Sequence, residues 1–348
     1  MSSPAHDVMA AHGRRQLRLG PLHCLVRPRV AAACGLALLG LLLGALWVLP
    51  QGLYETQLSS LWRGTDPMQR MVWLDIRLPR VLTALLAGGM LGVAGAAMQT
   101  LARNGLADPG LVGIKEGAAV AVVGMAVFFP DVGAAWRSVA GLLGGLCVAS
   151  VVVALSRDLS KVRFILVGIG VSWLLHGVIA CFMTLADIKD VQTALVWMAG
   201  SLHAAAWETF WPALCWAVVG TGLLAVGARG AGTLVLGAPA AAGLGVALKR
   251  ASALYFVGAC VLTAAAVAAV GSLGFVGLIA PHLARLTLRG RQAALLTGSV
   301  LYGAGLVLLA DSLGRLVFAP LQIPAGVVMA VVGVPFLLAL LWRRRDQL

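Results

Sequence analysis

The sequence predicts an all-α polytopic membrane protein of about ten transmembrane helices, with both ends in the cytoplasm. Three observations carry that expectation. Of 348 residues, 60% are hydrophobic and 11% charged, whereas a soluble domain carries ~25% charged residues. The mean hydropathy is +0.95, so lipid must solvate much of the apolar surface. The apolar residues fall into ten runs separated by short gaps, and Lys and Arg concentrate in alternate gaps.

Residues 1–29 hold Arg14, Arg15, Arg18, Arg27 and Arg29 and are expected to form a cytoplasmic tail. Residues 30–348 are expected to form a single transmembrane domain. The first run, 31–49, exceeds the apolar core of a signal peptide, and no small-residue cleavage site precedes "QGLYETQ". It is expected to be an uncleaved first helix. The others are 80–101, 113–129, 138–156, 164–186, 208–227, 251–271, a short 275–285, 293–317 and 325–342. A hydrocarbon core of ~30 Å needs about 20 apolar residues per helix.

With the N-terminus inside, eighteen Lys and Arg fall in cytoplasmic segments and seven outside, with Lys115 near an edge. The net charge of +13 therefore reads as orientation signalling, not nucleic-acid binding. Five of the six cysteines lie in or beside apolar runs, without metal-ligand spacing, and are expected to be packing residues. Gly88 and Gly92, followed by Gly95 and Ala96, and the Gly141, Gly144, Gly145 group predict closely packed helices.

Arg77, Arg80 and Arg315 stand on the outside against the usual bias. They read either as helix-end anchors or as a positive face for an acidic partner. Asp311 lies four residues before Arg315, so the two are placed to pair on one helix face. His176 is a titratable residue deep in a helix. No phosphate-cradling Gly-x-x-x-x-Gly-Lys motif and no His-Glu-x-x-His motif occurs. The segment 233–250 is inside by the charge distribution yet nearly uncharged until Lys249, which calls for cover by a cytoplasmic partner or by lipid. The outer stretch "DIKDVQTALVWMAGSLHAAAW" suits an entrance lip, although Trp197 and Trp207 also suit an aromatic belt.

Six motifs in order resemble the permease subunits of ATP-binding-cassette importers for ferric siderophores, heme and cobalamin. They are "RLPRVLTALLAGG" (77–89), "RNGLADPGLVGI" (103–114), "WMAGSL" (197–202), "GFVGLIAPHLAR" (274–285), "LLADSLGR" (308–315) and "IPAGVVMAVVGVPFLLALLWRR" (323–344). Asn104, Pro109, Pro281, His282 and Asp311 are the structural positions of these motifs. The resemblance implies a type II ABC importer permease fold in the bacterial inner membrane. It implies a second permease subunit, identical or related, two ATP-binding subunits below and a periplasmic or lipoprotein substrate-binding protein above. ATP-Mg would sit on the partner ATPase, with no cofactor on this chain and no covalent chemistry. It implies that Arg77, Arg80 and Arg315 meet acidic residues of the binding protein.

It also implies that the cytoplasmic segment 233–250 contacts the ATPase through Leu236, Gly237, Ala238, Pro239, Ala241, Leu244 and Gly245. Ala238 and Ala242 stand where relatives often carry an acid and an arginine. Lys161 and Val162 match the inner gate at the start of the fifth helix, and the fifth and tenth helices are expected to line the path. Lys115 and Glu116 replace small polar residues of the relatives. Gln192 stands where heme importers often have arginine, which favours a ferric siderophore as cargo over heme or cobalamin. A proton-coupled carrier using His176 and Asp311, and a membrane scaffold, are the competing readings.

Overall fold

The computed structural model describes residues 15–19, 22–26, 28–51, 67–129, 131–156, 162–234, 248–288 and 292–343. Each of the ten apolar runs coincides with a helix. They are α1 (Pro28–Val48), α3 (Leu78–Ala102), α4 (Ile114–Phe128), α5 (Ala134–Ser156), α6 (Val162–Leu185), α8 (Trp207–Leu234), α9 (Leu248–Val270), α10 (Val276–Leu288), α11 (Gln292–Leu316) and α12 (Ala325–Arg343). Eight of these are long and apolar enough to cross a membrane. Short elements fill the gaps: α2 (Pro67–Met71), a π-helical turn Val72–Arg77, a 3-10 turn Pro109–Val112 and α7 (Ile188–Met198). In the basic tail, β1 (Arg15–Leu19) pairs antiparallel with β2 (Leu22–Val26), Arg15 opposite Val26.

Two helices form the centre. The apolar span containing α3 is 83% buried and that of α9 is 78%, against 6% for α1 and 17% for both α6 and α12. Small residues explain the centre. Gly88 faces the Gly303 carbonyl, Gly92 that of Ser299 and Gly95 that of Gly277, each so closely that a Cβ would overlap backbone. Inside lipid no hydrophobic drive joins helices, so such close backbone approach supplies the association. The glycines of α5 behave likewise: Gly144 meets Gly117 of α4, while Gly141 and Gly145 meet Ala268 and Ala264 of α9.

Two connections run at membrane depth. Gly95 lies about 25 Å along α3 from its outer end, yet it meets Gly277, the second residue of α10. Helix α10 therefore starts far below the outer surface, which is why its run is short. The loop before α4 reaches the same level, with Pro109 Cδ 3.3 Å from where a Gly277 Cβ would stand. Irregular backbone is tolerated at this depth only where it is buried in protein or lines a water-filled cavity. The surroundings meet that condition, since Pro109, Pro281, Val276 and Gly277 are all buried.

Candidate functional site

The outer end of the bundle gathers the three singled-out arginines. Arg77 closes the π-helical turn and is 5% exposed. Its Nη1 donates to the carbonyls of Leu49 at 3.1 Å and Pro50 at 2.7 Å, and its guanidinium lies 5.6 Å from the Trp73 ring centroid. Arg315 donates from Nη1 to Gln51 O at 2.9 Å and from Nη2 to Val48 O at 3.5 Å. Both therefore cap the carbonyl end of α1, where a cation is favoured by the helix dipole and by acceptors without intrahelical partners.

Arg80 faces Asp311 side-on. Nε donates to Oδ2 at 3.0 Å and to Oδ1 at 3.2 Å, and Nη2 donates to Oδ1 at 2.8 Å. The remaining terminal nitrogen, Nη1, donates to Gln322 Oε1 at 3.2 Å, and His203 Nδ1 lies 3.2 Å from the same oxygen. One guanidinium thus ties α3 to α11, to the turn before α12 and, through Gln322, to the loop after α7. This corrects the expected partner of Asp311: Arg80 of the neighbouring helix takes the carboxylate, because Arg315 is drawn to the α1 carbonyls. The sequence spacing i, i+4 signalled the wrong arginine, and nothing in it signalled Gln322, His203 or the α1 carbonyls.

Just below, three of the sequence motifs interlock. Gly200 and Gly271 both adopt φ +75°, and a Cβ on Gly271 would strike Trp197 O. Gly326 N donates to Gly200 O at 2.9 Å, and Gly326 packs on Ala199. Phe275 fills the space left by Gly333 of α12. "WMAGSL", "GFVGLIAPHLAR" and "IPAG" are therefore neighbours in space.

The other motif residues are structural in their contacts. Asn104 Oδ1 accepts from Leu106 N at 2.9 Å, and Asp108 caps the 3-10 turn by accepting from Gly110 N at 2.6 Å, with Pro109 buried as its first residue. Pro281 is buried within α10, and the next residue, His282, packs edge-on against Phe336 of α12 with ring centroids 5.6 Å apart.

Val162 opens α6. His176 is exposed on α6, with Nδ1 2.8 Å from Ser172 O, a contact that requires the proton on Nδ1. Gln192 is exposed on α7. Lys161 and the coupling positions Leu236, Gly237, Ala238, Pro239, Ala241, Leu244 and Gly245 lie outside the described residues. Among the described residues no group of three His, Cys, Asp or Glu is placed to hold a metal.

Long apolar helices, buried small-residue seams and an ion-paired rim define a polytopic helical membrane protein. The chain belongs to the FecCD transport family, whose model matches residues 32–343. It is thereby a permease subunit of an ATP-binding-cassette importer for iron chelates, heme or cobalamin, resident in the inner membrane.

Over 288 residues it is 37% identical to a probable siderophore transport system permease of Bacillus subtilis, YfhA, covering 80% of this chain and 84% of that one. It is 35% identical over 329 residues to the hemin transport system permease HmuU of Yersinia pestis, covering 92% and 98%. It is 34% identical over 316 residues to the vitamin B12 import permease BtuC of Vibrio cholerae, covering 88% and 90%. A solved inward-facing conformation of a metal-chelate type ABC transporter superposes with a TM-score of 0.80 at 28% identity, covering 90% of this chain and 99% of that chain.

Proposed function

We propose that the chain is one half of the membrane gate of an importer for a ferric siderophore, and that its outer arginine cluster receives carboxylates of a substrate-binding protein. The observation that carries the docking reading is the way the cluster is satisfied. Arg315 donates from its two terminal nitrogens to backbone carbonyls, and among the described residues no carboxylate lies within 4 Å of it. Asp311 acts on it only at longer range, alongside Arg80 and Arg77, so the cluster of three arginines and one carboxylate presents a net positive charge. Arg80 keeps 14% of its side chain exposed at the rim. Arg77 lies beneath and holds the α1 end in place.

The ATPase contact falls to 233–250, and the energy for alternating access comes from the partner ATPases. The siderophore reading is supported by Gln192 in place of an arginine on α7. It is also supported by 36–37% identity to relatives named for siderophore and iron(3+)-hydroxamate transport.

Two measurements test this. The chain is reconstituted with its second permease subunit, ATPases and binding protein, and ATP-dependent uptake of a ferric siderophore, heme and cobalamin is compared. Preferential uptake of the iron chelate is expected; preference for heme or cobalamin overturns the cargo reading. Arg315→Glu is expected to weaken binding-protein association by more than about tenfold, the scale of one lost charge contact, at unchanged basal ATPase activity. Unchanged association overturns the docking role.

A further inference from the structure

A second polar constellation lies within the membrane, away from the outer rim. A cavity of about 300 Å³ is lined by Gly110, Glu116, Ile169, Ser172, Trp173 and His176. Glu116 stands in the first turn of α4, and its Oε2 accepts from Ser172 Oγ at 3.4 Å. Ser172 and His176 are about 15 Å and 21 Å along α6 from Val162, near the middle of a hydrocarbon core of ~30 Å.

Among the described residues no cation lies within 4 Å of the Glu116 carboxylate. Lys115 turns Cε and Nζ onto Gly110 at the edge of the same cavity, where the Asp108 carboxylate also approaches, so the edge holds one ammonium and one carboxylate and Glu116 adds the net negative charge. Trp173 is 75% exposed, and its ring lies 6.2 Å from that of His176, tilted by 44°.

A carboxylate and an imidazole at this depth are costly against lipid tails, and ionisable groups inside membranes mark water-filled pathways. The cleft between the first turn of α4, which carries Glu116, and the α6 face of Ser172, Trp173 and His176 is thus a wall of the transport path. Its chemistry is selective. A carboxylate beside an open indole face attracts a cation by charge and by the ring quadrupole, and it repels a polyanion.

We propose that Glu116 and Trp173, supported by Ser172 and His176, form a station on the path that favours iron chelates bearing an ammonium group over anionic or neutral ones. The inference rests on the iron-chelate reading above and deepens it.

The test uses the full importer in proteoliposomes with its binding protein. It compares uptake of a ferric trihydroxamate carrying a free primary ammonium with uptake of the same chelate after N-acetylation. In Glu116→Gln, uptake of the ammonium chelate is expected to fall roughly tenfold relative to wild type. Uptake of the acetylated one is expected to change less than about twofold, within the scatter of an uncharged polar change. Glu116→Asp, which keeps the charge, is expected to retain the preference, and Trp173→Leu to reduce it. Equal effects of Glu116→Gln on both chelates, or no effect, overturn the station. Uptake of neither chelate by the wild type overturns the iron-chelate reading itself, and the station with it.

Discussion

Removal of one partner from the Arg80–Asp311 pair is expected to have unequal costs on its two sides. The pair joins α3 to α11 through three donor–acceptor contacts of 2.8–3.2 Å. The Asp311 side chain is 5% exposed and that of Arg80 14%. Breaking a fully buried pair by deleting one member costs about 3–5 kcal/mol, chiefly from the charge left behind.

Arg80→Met strands the more deeply buried Asp311 and is expected to reach that range. Asp311→Asn leaves Arg80 with some solvent, with Gln322 and with an amide oxygen that still accepts one bond, so about 2–3 kcal/mol is expected. The double variant Arg80→Met/Asp311→Leu removes both charges and is expected to lie within about 1 kcal/mol of wild type, because apolar replacement of a buried pair is often neutral. The assay is reversible unfolding of the purified chain in mixed micelles with a full double-mutant cycle. Additivity of the single variants within about 0.5 kcal/mol would refute the coupling.

Three further outcomes follow from the packing. Gly95→Ala, which drives a Cβ into the Gly277 backbone, is expected to abolish the folded monodisperse protein, while Gly40→Ala, with nothing within 4 Å, is expected to leave yield and melting unchanged; gel filtration and thermal melting check both. Gly271→Ala combines a left-handed φ of +75° with a clash against Trp197 O, so a loss of at least about 1–3 kcal/mol is expected in the same unfolding assay. Arg77→Met/Arg315→Met removes both caps from α1, whose apolar span is only 6% buried. Labelling of Gly305→Cys, a position 3.8 Å from Leu41 Cδ1, by a lipid-soluble maleimide is then expected to rise several-fold, and unchanged labelling would show that the caps do not hold α1.

Much of this architecture was legible in the sequence because lipid imposes a simple rule. Ten apolar runs became ten helices, eight of them long and apolar enough to cross a membrane, and the short 275–285 run became the short α10 (Val276–Leu288). The Gly88, Gly92 and Gly95 spacing marked a close seam, since a helical repeat of small residues has few other uses in lipid. Hydrogen-bond partners were not legible. Asp311 has two arginines within reach, and spacing along one helix favours Arg315, whereas the packing of α3 on α11 hands the carboxylate to Arg80.

The capping of α1 by Arg77 and Arg315 was hidden for the same reason: backbone carbonyls carry no sequence signature. Lys115 and Glu116 read only as replacements of small polar residues, and nothing in the sequence placed Glu116 beside Ser172 of α6.

The account stands on the chain crossing the membrane with the arginine rim outside and the 233–250 segment inside. Single cysteines at Gln322, exposed beside Arg80, and at Ala240, in a background lacking the six native cysteines, test this directly. With a membrane-impermeant maleimide on right-side-out vesicles, Gln322→Cys is expected to react at once and Ala240→Cys only after permeabilisation. Reaction of both before permeabilisation would place the two surfaces in one compartment and contradict the account.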